Sequence, residues 1–224
     1  MEDLKIIRLT GAAGILAALI GFVAEMLLYG GFYSGAEYYE ISRKIMSEIP
    51  VTRLMIGGAL GPIEAIFYIV GFRHIYLALK PGSVRLAQMV FAAFSAMMIV
   101  GGGAFHSAFV YTGLITRAQN AVQMVDVAVL NTLLAQSFSY IRFLYQITFA
   151  FGLLGTVGFV WAVLFHKTLY PRWMILFTPT LLILVVQPLA RHIPAPLGGI
   201  VLGGSVSLCF LLFFCLSTYA LWKK

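Results

Sequence analysis

The sequence predicts an all-α membrane protein, a polytopic helix bundle with about six transmembrane helices. Of the 224 residues, 61% are hydrophobic and only 10% are charged, whereas soluble domains carry roughly 25% charged residues. The apolar residues form long runs, and most Lys and Arg residues lie at the ends of those runs, as in chains that cross a bilayer. The runs occupy nearly all of residues 1–224, so we expect one six-span domain.

The apolar runs have the length that an α-helix needs to cross the roughly 30 Å hydrocarbon core of a bilayer. The first run is too long for the core of a signal peptide, so we expect it to stay attached. Pro179 and Pro188 fall in the fifth and shortest run, and they should kink or end that helix. The predicted spans cover residues 6–30, 54–79, 86–115, 139–165, 173–190 and 197–222.

The distribution of basic residues predicts a multi-pass protein of the cell membrane with both termini in the cytoplasm. With the N-terminus inside, nine Lys and Arg residues lie on the cytoplasmic side and six on the outer side, as the positive-inside rule requires. Topology thereby explains the net charge of +7, and we expect no nucleic-acid partner. The cytoplasmic set is Lys5, Arg8, Arg73, Lys80, Arg85, Lys167, Arg172, Lys223 and Lys224; the outer set is Arg43, Lys44, Arg53, Arg117, Arg142 and Arg191.

Two long connections fall on the outer side, in residues 32–53 after span one and in residues 117–136 after span three. Their apolar residues recur at intervals that are typical of an amphipathic helix. Each segment could rest on the lipid headgroups or act as a lid over the bundle. The apolar positions are Tyr38, Tyr39, Ile41, Ile45, Met46 and Ile49 in the first segment, and Val122, Val125, Val129 and Leu133 in the second, where Asp126 lies elsewhere on the surface.

Ionisable residues inside the predicted spans indicate a candidate site, because a charge in hydrocarbon costs at least ~2.5–3.5 kcal/mol. Glu25, Glu64 and His106 each share a helix face with glycines at three- and four-residue spacing, which is typical of closely packed membrane helices. Glu64 and His106 lie about ten and eleven residues from the outer ends of their spans, so both should be about 15 Å deep. We expect them to meet and to act as a catalytic acid and base.

Other polar side chains in the outer halves of the spans are candidates for binding a substrate. Their distribution predicts a polar pocket that opens outward. Because the surrounding wall is rich in Phe, Tyr, Met and Leu, the expected partners are the lipid bilayer and a small hydrophobic or amphipathic molecule. The predicted substrate-binding residues are Glu25, Tyr68, Tyr111, Arg142, Tyr145, Gln146, Gln187, Arg191 and His192.

Several functions remain open for this cluster. An enzyme would use Glu64 and His106 on a lipid-soluble molecule, with Arg142 or Arg191 holding an anionic or carbonyl group. A proton-coupled carrier is the alternative, although no repeat relates spans one to three to spans four to six. In a purely structural role, Glu25 would pair with Arg142, and Glu64 with His106, to fix the helix register.

The four histidines allow a further, less favoured function in haem binding. His74 and His166 lie near the inner face, whereas His106 and His192 lie toward the outer one. This layout resembles, in topology only, the six-span ascorbate-reducing cytochromes, and that resemblance implies two haems held by pairs of histidines. No H-x-x-x-H or H-E-x-x-H spacing is present, so we predict no metal site; the cofactor and the oligomeric state stay open. Cys209 and Cys215 fall inside the last run and should serve packing.

Short motifs are distributed over nearly the whole chain. They are Gly-Ala-Ala-Gly-Ile-Leu-Ala in span one, Phe-Arg-His-Ile-Tyr-Leu-Ala-Leu-Lys-Pro closing span two, Gly-Ala-Phe-His in span three, Tyr-Pro-Arg-Trp before span five, and Ile-Pro-Ala-Pro-Leu-Gly-Gly before span six. This pattern resembles a family of uncharacterised prokaryotic six-span membrane proteins. The resemblance implies a topology and no established activity, so no site residue is carried over from it.

Overall fold

The computed structural model describes residues 2–121 and 127–222, and every regular element within these two ranges is helical. A π-helical segment, Ile99–Phe105, joins α4 to α5, and two 3₁₀ segments, Gly35–Glu37 and Arg172–Phe177, precede α2 and α7. The α-helices are α1 (Glu2–Leu28), α2 (Tyr38–Glu48), α3 (Val51–Leu79), α4 (Val84–Met98), α5 (His106–Ala121), α6 (Val127–Phe165), α7 (Pro179–Ala190), α8 (Leu197–Gly203) and α9 (Ser205–Leu221).

Four helical stretches in the described ranges are long and apolar enough to cross a bilayer, and α8 with α9 would make a fifth. The prediction of an all-α helix bundle is therefore confirmed for the described ranges, and four to five of the six predicted spans meet the criterion of length and composition. The four long stretches are Leu4–Leu28, Val51–Leu79, Val84–Asn120 and Ala128–Phe165.

Of the two segments predicted to lie on the outer side, only the first forms a separate helix among the described residues. The first contains a separate amphipathic helix, α2, which docks on α5 because Arg117 donates hydrogen bonds to the Ser47 and Ile49 carbonyls, at 3.1 and 2.6 Å. The second is not a separate helix in its described part, since α5 runs on to Ala121 and α6 begins at Val127. Val129 and Leu133 lie exposed on α6, while Val122, Val125 and Asp126 lie outside the described residues.

The long helices exceed what a bilayer requires. The stretches that end and begin within that second segment hold 37 and 38 residues, which is about 55 Å of helix, against a hydrocarbon core of roughly 30 Å. Each stretch is therefore longer than a single crossing needs.

α1, α3 and α9 form the closely packed centre of the bundle. Their contacts recur at seven-residue intervals on each helix, and α1 runs antiparallel to both partners. Such heptad spacing is typical of helices that cross at about 20°, and small residues at the contacts let the backbones approach. The contacts are Gly14 with Gly71 and Phe214, Gly21 with Glu64 and Ser207, and Leu28 with Gly57.

The last two predicted spans are interrupted. Pro179 occupies the first position of α7, which holds only 12 residues after the 3₁₀ segment. The sixth span was expected to be continuous, but α8 and α9 meet at Gly204 with a bend of 72°. The Phe22 ring of α1 packs against Gly204, where a side chain would collide with it. The glycine therefore permits both the bend and the close approach of α1.

The beginning of α1 and the end of α9 lie together. The Arg8 guanidinium donates a hydrogen bond to the Trp222 carbonyl at 2.6 Å, and it lies 4.8 Å from the centre of the Trp222 ring. The two ends of the described chain are therefore at the same end of the bundle.

Candidate functional site

The Glu64 and His106 side chains are in contact inside the bundle. Glu64 Oε1 lies 3.2 Å from His106 Nδ1, and the residues are 6% and 5% exposed. When Nδ1 carries the proton, the imidazole donates to the carboxylate and Nε2 is left as an acceptor. A carboxylate in this position fixes the tautomer and orientation of the ring, as in a catalytic triad. The pair has the geometry of a general base and its positioning group.

The helix that carries His106 departs from α geometry just before this residue. Ile99–Phe105 is π-helical, and the His106 N–H donates to the carbonyl five residues earlier. Within that segment Gly102 packs against α3, where an added Cβ would stand 2.9 Å from the Gly61 carbonyl oxygen and 3.1 Å from Glu64 Oε1. Glycine at this position therefore lets the two helices approach closely enough for the pair to form. Single π turns of this kind are frequent at functional sites.

Glu25 of α1 lies beside the pair, at the point where the last apolar stretch bends. Glu64 is its charged neighbour, and Ser207 presents both its hydroxyl and its backbone N–H to the Glu25 carboxylate. Ser207 lies in the first turn of α9, where N–H groups have no partner within the helix and carry partial positive charge. The bend at Gly204 thus directs a helix N-terminus toward Glu25.

Several polar atoms of this cluster are buried without a hydrogen-bonding partner among the described residues. Since most buried polar groups in proteins are paired, such atoms indicate where an exchangeable proton or a bound molecule would interact. Tyr68 belongs to this cluster because its hydroxyl faces Ser207 and Glu64, one turn along α3. The atoms are Glu25 Oε2, Glu64 Oε2, Tyr68 Oη and His106 Nε2.

The three ionisable groups cannot all be charged at low energetic cost. An unpaired charge in an apolar interior is strongly unfavourable, and Glu25 and Glu64 are neighbours of like charge. The cluster therefore brings two carboxyl groups and one imidazole together in an interior that disfavours any unpaired charge.

The structure separates the predicted substrate-binding residues into three groups. Glu25 and Tyr68 join Glu64 and His106 in the buried cluster. Gln187 of α7 reaches the edge of the bend, where its side-chain amide donates to the Ser205 hydroxyl at 3.2 Å. The third group is exposed and lies outside the cluster: Tyr111, Arg142, Tyr145, Gln146, Arg191 and His192.

The exposed arginines do not hold the buried carboxylates. The expected Glu25–Arg142 pair does not form, because Arg142 lies on the outward face of α6 and Glu25 faces Ser207 instead. Arg191 donates to the Tyr39 hydroxyl at 3.0 Å, which joins the end of α7 to α2. Glu64 and His106 are themselves buried, so the structure does not present them in the open, outward pocket that was expected.

A second polar network lies near the end of the bundle that holds the termini. His74 Nδ1 lies 2.8 Å from the Ile7 carbonyl oxygen, so Nδ1 carries the proton. In the neutral ring Nε2 then accepts from the Ser217 hydroxyl at 2.6 Å, and Ser217 accepts from the Tyr170 hydroxyl at 2.8 Å. Both nitrogens of His74 are engaged, so this histidine is not placed as the haem ligand considered from the sequence.

Ser207, Ser217 and Tyr170 are polar residues of these two networks that sequence reasoning did not place in a site. A sequence signal was present for Ser207, which lies seven residues before Phe214 on the face of α9 that contacts α1. His74 was assigned to the inner edge of its span, and no sequence pattern indicated its partners.

The chain was compared with known protein families, with curated proteins and with solved structures. A profile of a protein family of unknown function matches residues 1–224. No curated protein and no solved structure matches the chain. Within residues 2–121 and 127–222, no group of three or more His, Cys, Asp or Glu side chains is placed to hold a metal ion. The chemistry of the cluster must therefore be inferred from the cluster itself.

Proposed function

The chain belongs to that family, DUF6796, and since the family has no known function we propose, from the residues alone, that the protein performs acid–base chemistry inside the membrane. His106 is the proton acceptor, Glu64 positions its ring, and Glu25 with Tyr68 completes the polar lining. The substrate is a small lipid-soluble or amphipathic molecule, because the cluster lies within an apolar bundle.

One observation carries this proposal. His106 Nε2 is buried and has no partner among the described residues, while Nδ1 is held by Glu64 at 3.2 Å. A neutral imidazole in this state accepts a proton at Nε2, and the carboxylate stabilises the imidazolium that forms. Positioned acid–base groups of this kind typically accelerate proton transfer about 10²–10⁴-fold.

The experiment compares wild-type protein with His106→Gln and Glu64→Gln after purification into lipid nanodiscs. Each sample is incubated with a lipid extract of the host membranes, and the extract is then profiled by mass spectrometry. We expect at least one molecule that wild type converts, that His106→Gln leaves unconverted, and that Glu64→Gln converts more slowly. His166→Gln, which changes an exposed histidine just after the end of α6, should behave like wild type. Identical profiles for wild type and His106→Gln would overturn the proposal.

A proton-coupled carrier is the second candidate, and the bend between α8 and α9 favours it. Carriers often hold their substrate beside interrupted helices whose N-termini face an anionic group, and Ser207 at the start of α9 faces Glu25 in this way. Proteoliposomes with an entrapped pH indicator separate the two functions. A carrier moves protons when substrate is added to one side and loses this flux in Glu25→Gln, whereas an enzyme converts substrate without net proton flux.

We also propose that the chain crosses the membrane six times with both termini in the cytoplasm. The contact of Arg8 with Trp222 supports an even number of crossings, and α7 with the bent α8–α9 pair supplies two beyond the four long helices. Single cysteines at Lys80 and Glu48, in a background with Cys209→Ser and Cys215→Ser, test this topology. An impermeant thiol reagent should label Lys80→Cys only from the cytoplasmic side and Glu48→Cys only from the outside; the reverse pattern would overturn the orientation.

A further inference from the structure

Two surface depressions lie one above the other in the groove between α1 and α3. The one that lies farther from the end of α1, of about 220 Å³, has an entirely apolar lining of Leu19, Ile20, Val23 and Leu60. The other, of about 390 Å³, lies where α1 ends and α3 begins, and its lining includes Gly30, Phe32, Ile45, Glu48 and Arg53. We call them the apolar depression and the polar depression.

The two depressions form one seam. Gly30 follows the end of α1 at Leu28 and lies seven residues after Val23, and Arg53 and Leu60 are seven residues apart on α3. Seven residues are nearly two helical turns, so Arg53 and Leu60 lie on one side of α3 at a separation of about 10 Å. A single elongated molecule could therefore occupy both depressions along the α1–α3 groove.

The polar depression presents charges of opposite sign. Arg53 donates hydrogen bonds to the Leu27 and Met26 carbonyls at 3.0 and 2.9 Å through Nε and Nη2, which leaves Nη1 available to an anion. The Glu48 carboxylate is exposed, and its contact with Lys44 is at the 4.0 Å limit of an ion pair. Phe32 is 81% exposed, and the face of such a ring attracts a cation.

We propose that this seam binds one zwitterionic phospholipid that carries an amine headgroup. Arg53 holds the phosphate, Glu48 and the Phe32 ring hold the ammonium group, and an acyl chain occupies the apolar depression. The charge pattern selects this class of molecule, since an anionic headgroup would lie against Glu48 and a free phosphate would leave the apolar depression unused. The polar depression lies at the boundary of the predicted spans, at the level where headgroups lie.

The lipid site is independent of the acid–base chemistry at His106. None of its lining residues belongs to the buried cluster, so a variant can lose the lipid and keep the chemistry. Failure of the one proposal therefore leaves the other intact.

The experiment is native mass spectrometry of the full chain released from micelles that contain equal amounts of phosphatidylethanolamine and phosphatidylglycerol. We expect wild type to retain one molecule of phosphatidylethanolamine in preference to phosphatidylglycerol. Glu48→Gln should lower that retention about two- to fivefold, as expected for one exposed charge contact. Val23→Trp, which fills the apolar depression, should lower it at least as much.

Matched variants control for indirect effects on the fold. Glu40→Gln changes another exposed carboxylate of α2, and Ile66→Trp enlarges an exposed apolar side chain elsewhere on α3; both should retain the lipid as wild type does. Equal retention of the two lipids by wild type would overturn the proposal. So would a loss in only one of Glu48→Gln and Val23→Trp, because a single molecule must occupy both depressions.

Discussion

The Glu64 carboxylate of α3 lies directly against the backbone of Gly21 on α1. A Cβ atom on Gly21 would overlap Glu64 Oε2 and would stand 2.7 Å from the Ser207 hydroxyl oxygen. The missing side chain therefore lets groups from α1, α3 and α9 meet at one point in the bundle.

Gly21→Ala should consequently destabilise the protein by about 1–3 kcal/mol, the usual cost of overpacking a closely packed interior. The measurement is thermal or denaturant unfolding of the purified protein in detergent. Gly103→Ala is the matched control, because a Cβ there meets no heavy atom within 4 Å and alanine favours a helix. Equal destabilisation by the two variants would contradict this account of Gly21.

Removing one member of the Glu64–His106 pair should cost more than removing both. Glu64→Leu leaves a buried imidazole without its partner, and we expect a loss of about 3–5 kcal/mol. His106→Leu should do the same to the carboxylate. The double variant replaces the pair with apolar groups, so its loss should be smaller than either single loss. Unfolding of the four proteins gives the coupling energy, and additive losses would show that the two side chains do not interact.

The second polar network, around His74, makes a graded prediction for Ser217 and Tyr170. Ser217→Ala removes the donor to His74 and the acceptor of Tyr170, so it should destabilise the protein by about 1–3 kcal/mol. Tyr170→Phe removes a single hydrogen bond and should cost less. Tyr219→Phe, at a tyrosine that is 78% exposed, serves as the control and should leave the unfolding transition unchanged. A larger loss for Tyr170→Phe than for Ser217→Ala would contradict the proposed order of donors.

Glu37 provides a pH-dependent prediction outside the bundle. The Ser34 hydroxyl and N–H donate to its carboxylate at 2.5 and 3.1 Å, and these hydrogen bonds lower the pKa of Glu37 below its ordinary value. The turn is therefore stabilised above the pKa of the unfolded chain, and this contribution disappears as the pH falls through the lowered pKa.

Side-chain NMR of labelled glutamate tests this prediction. Ser34→Ala should raise the pKa of Glu37 toward its ordinary value, whereas the remote Ser83→Ala should leave it unchanged. An unchanged titration of Glu37 in Ser34→Ala would show that another group causes the shift.

That Glu64 and His106 lie at the same level of the bundle was predictable because a helix advances by a fixed 1.5 Å per residue. Their rotation toward each other was also accessible, since glycines mark the inward faces of α3 and of the π-helical segment. No comparable pattern in the sequence indicates which way Arg142 and Tyr145 face. In a membrane helix the outward face is as apolar as the inward one, so hydrophobic periodicity does not reveal which way a polar residue on α6 points.

The bend at Gly204 and the continuity of α5 and α6 were not predictable from local sequence. Glycine pairs occur both within membrane helices and at breaks, and the Phe22 ring that packs against Gly204 lies more than 180 residues earlier in the chain. An amphipathic pattern indicates a helix but not whether that helix continues a neighbouring span. Both features depend on contacts between distant parts of the chain.

The π-helical segment before His106 amounts to one additional residue in an otherwise regular helix. Every side chain from His106 to the end of α5 is therefore rotated by about 100° from where uninterrupted α geometry would place it. Deletion of a single glycine, such as Gly103, would restore the regular winding and turn the imidazole away from Glu64. The orientation of the imidazole relative to α4 thus depends on how many residues separate them. An insertion or deletion in this segment would change the chemistry of the bundle without replacing any side chain that performs it.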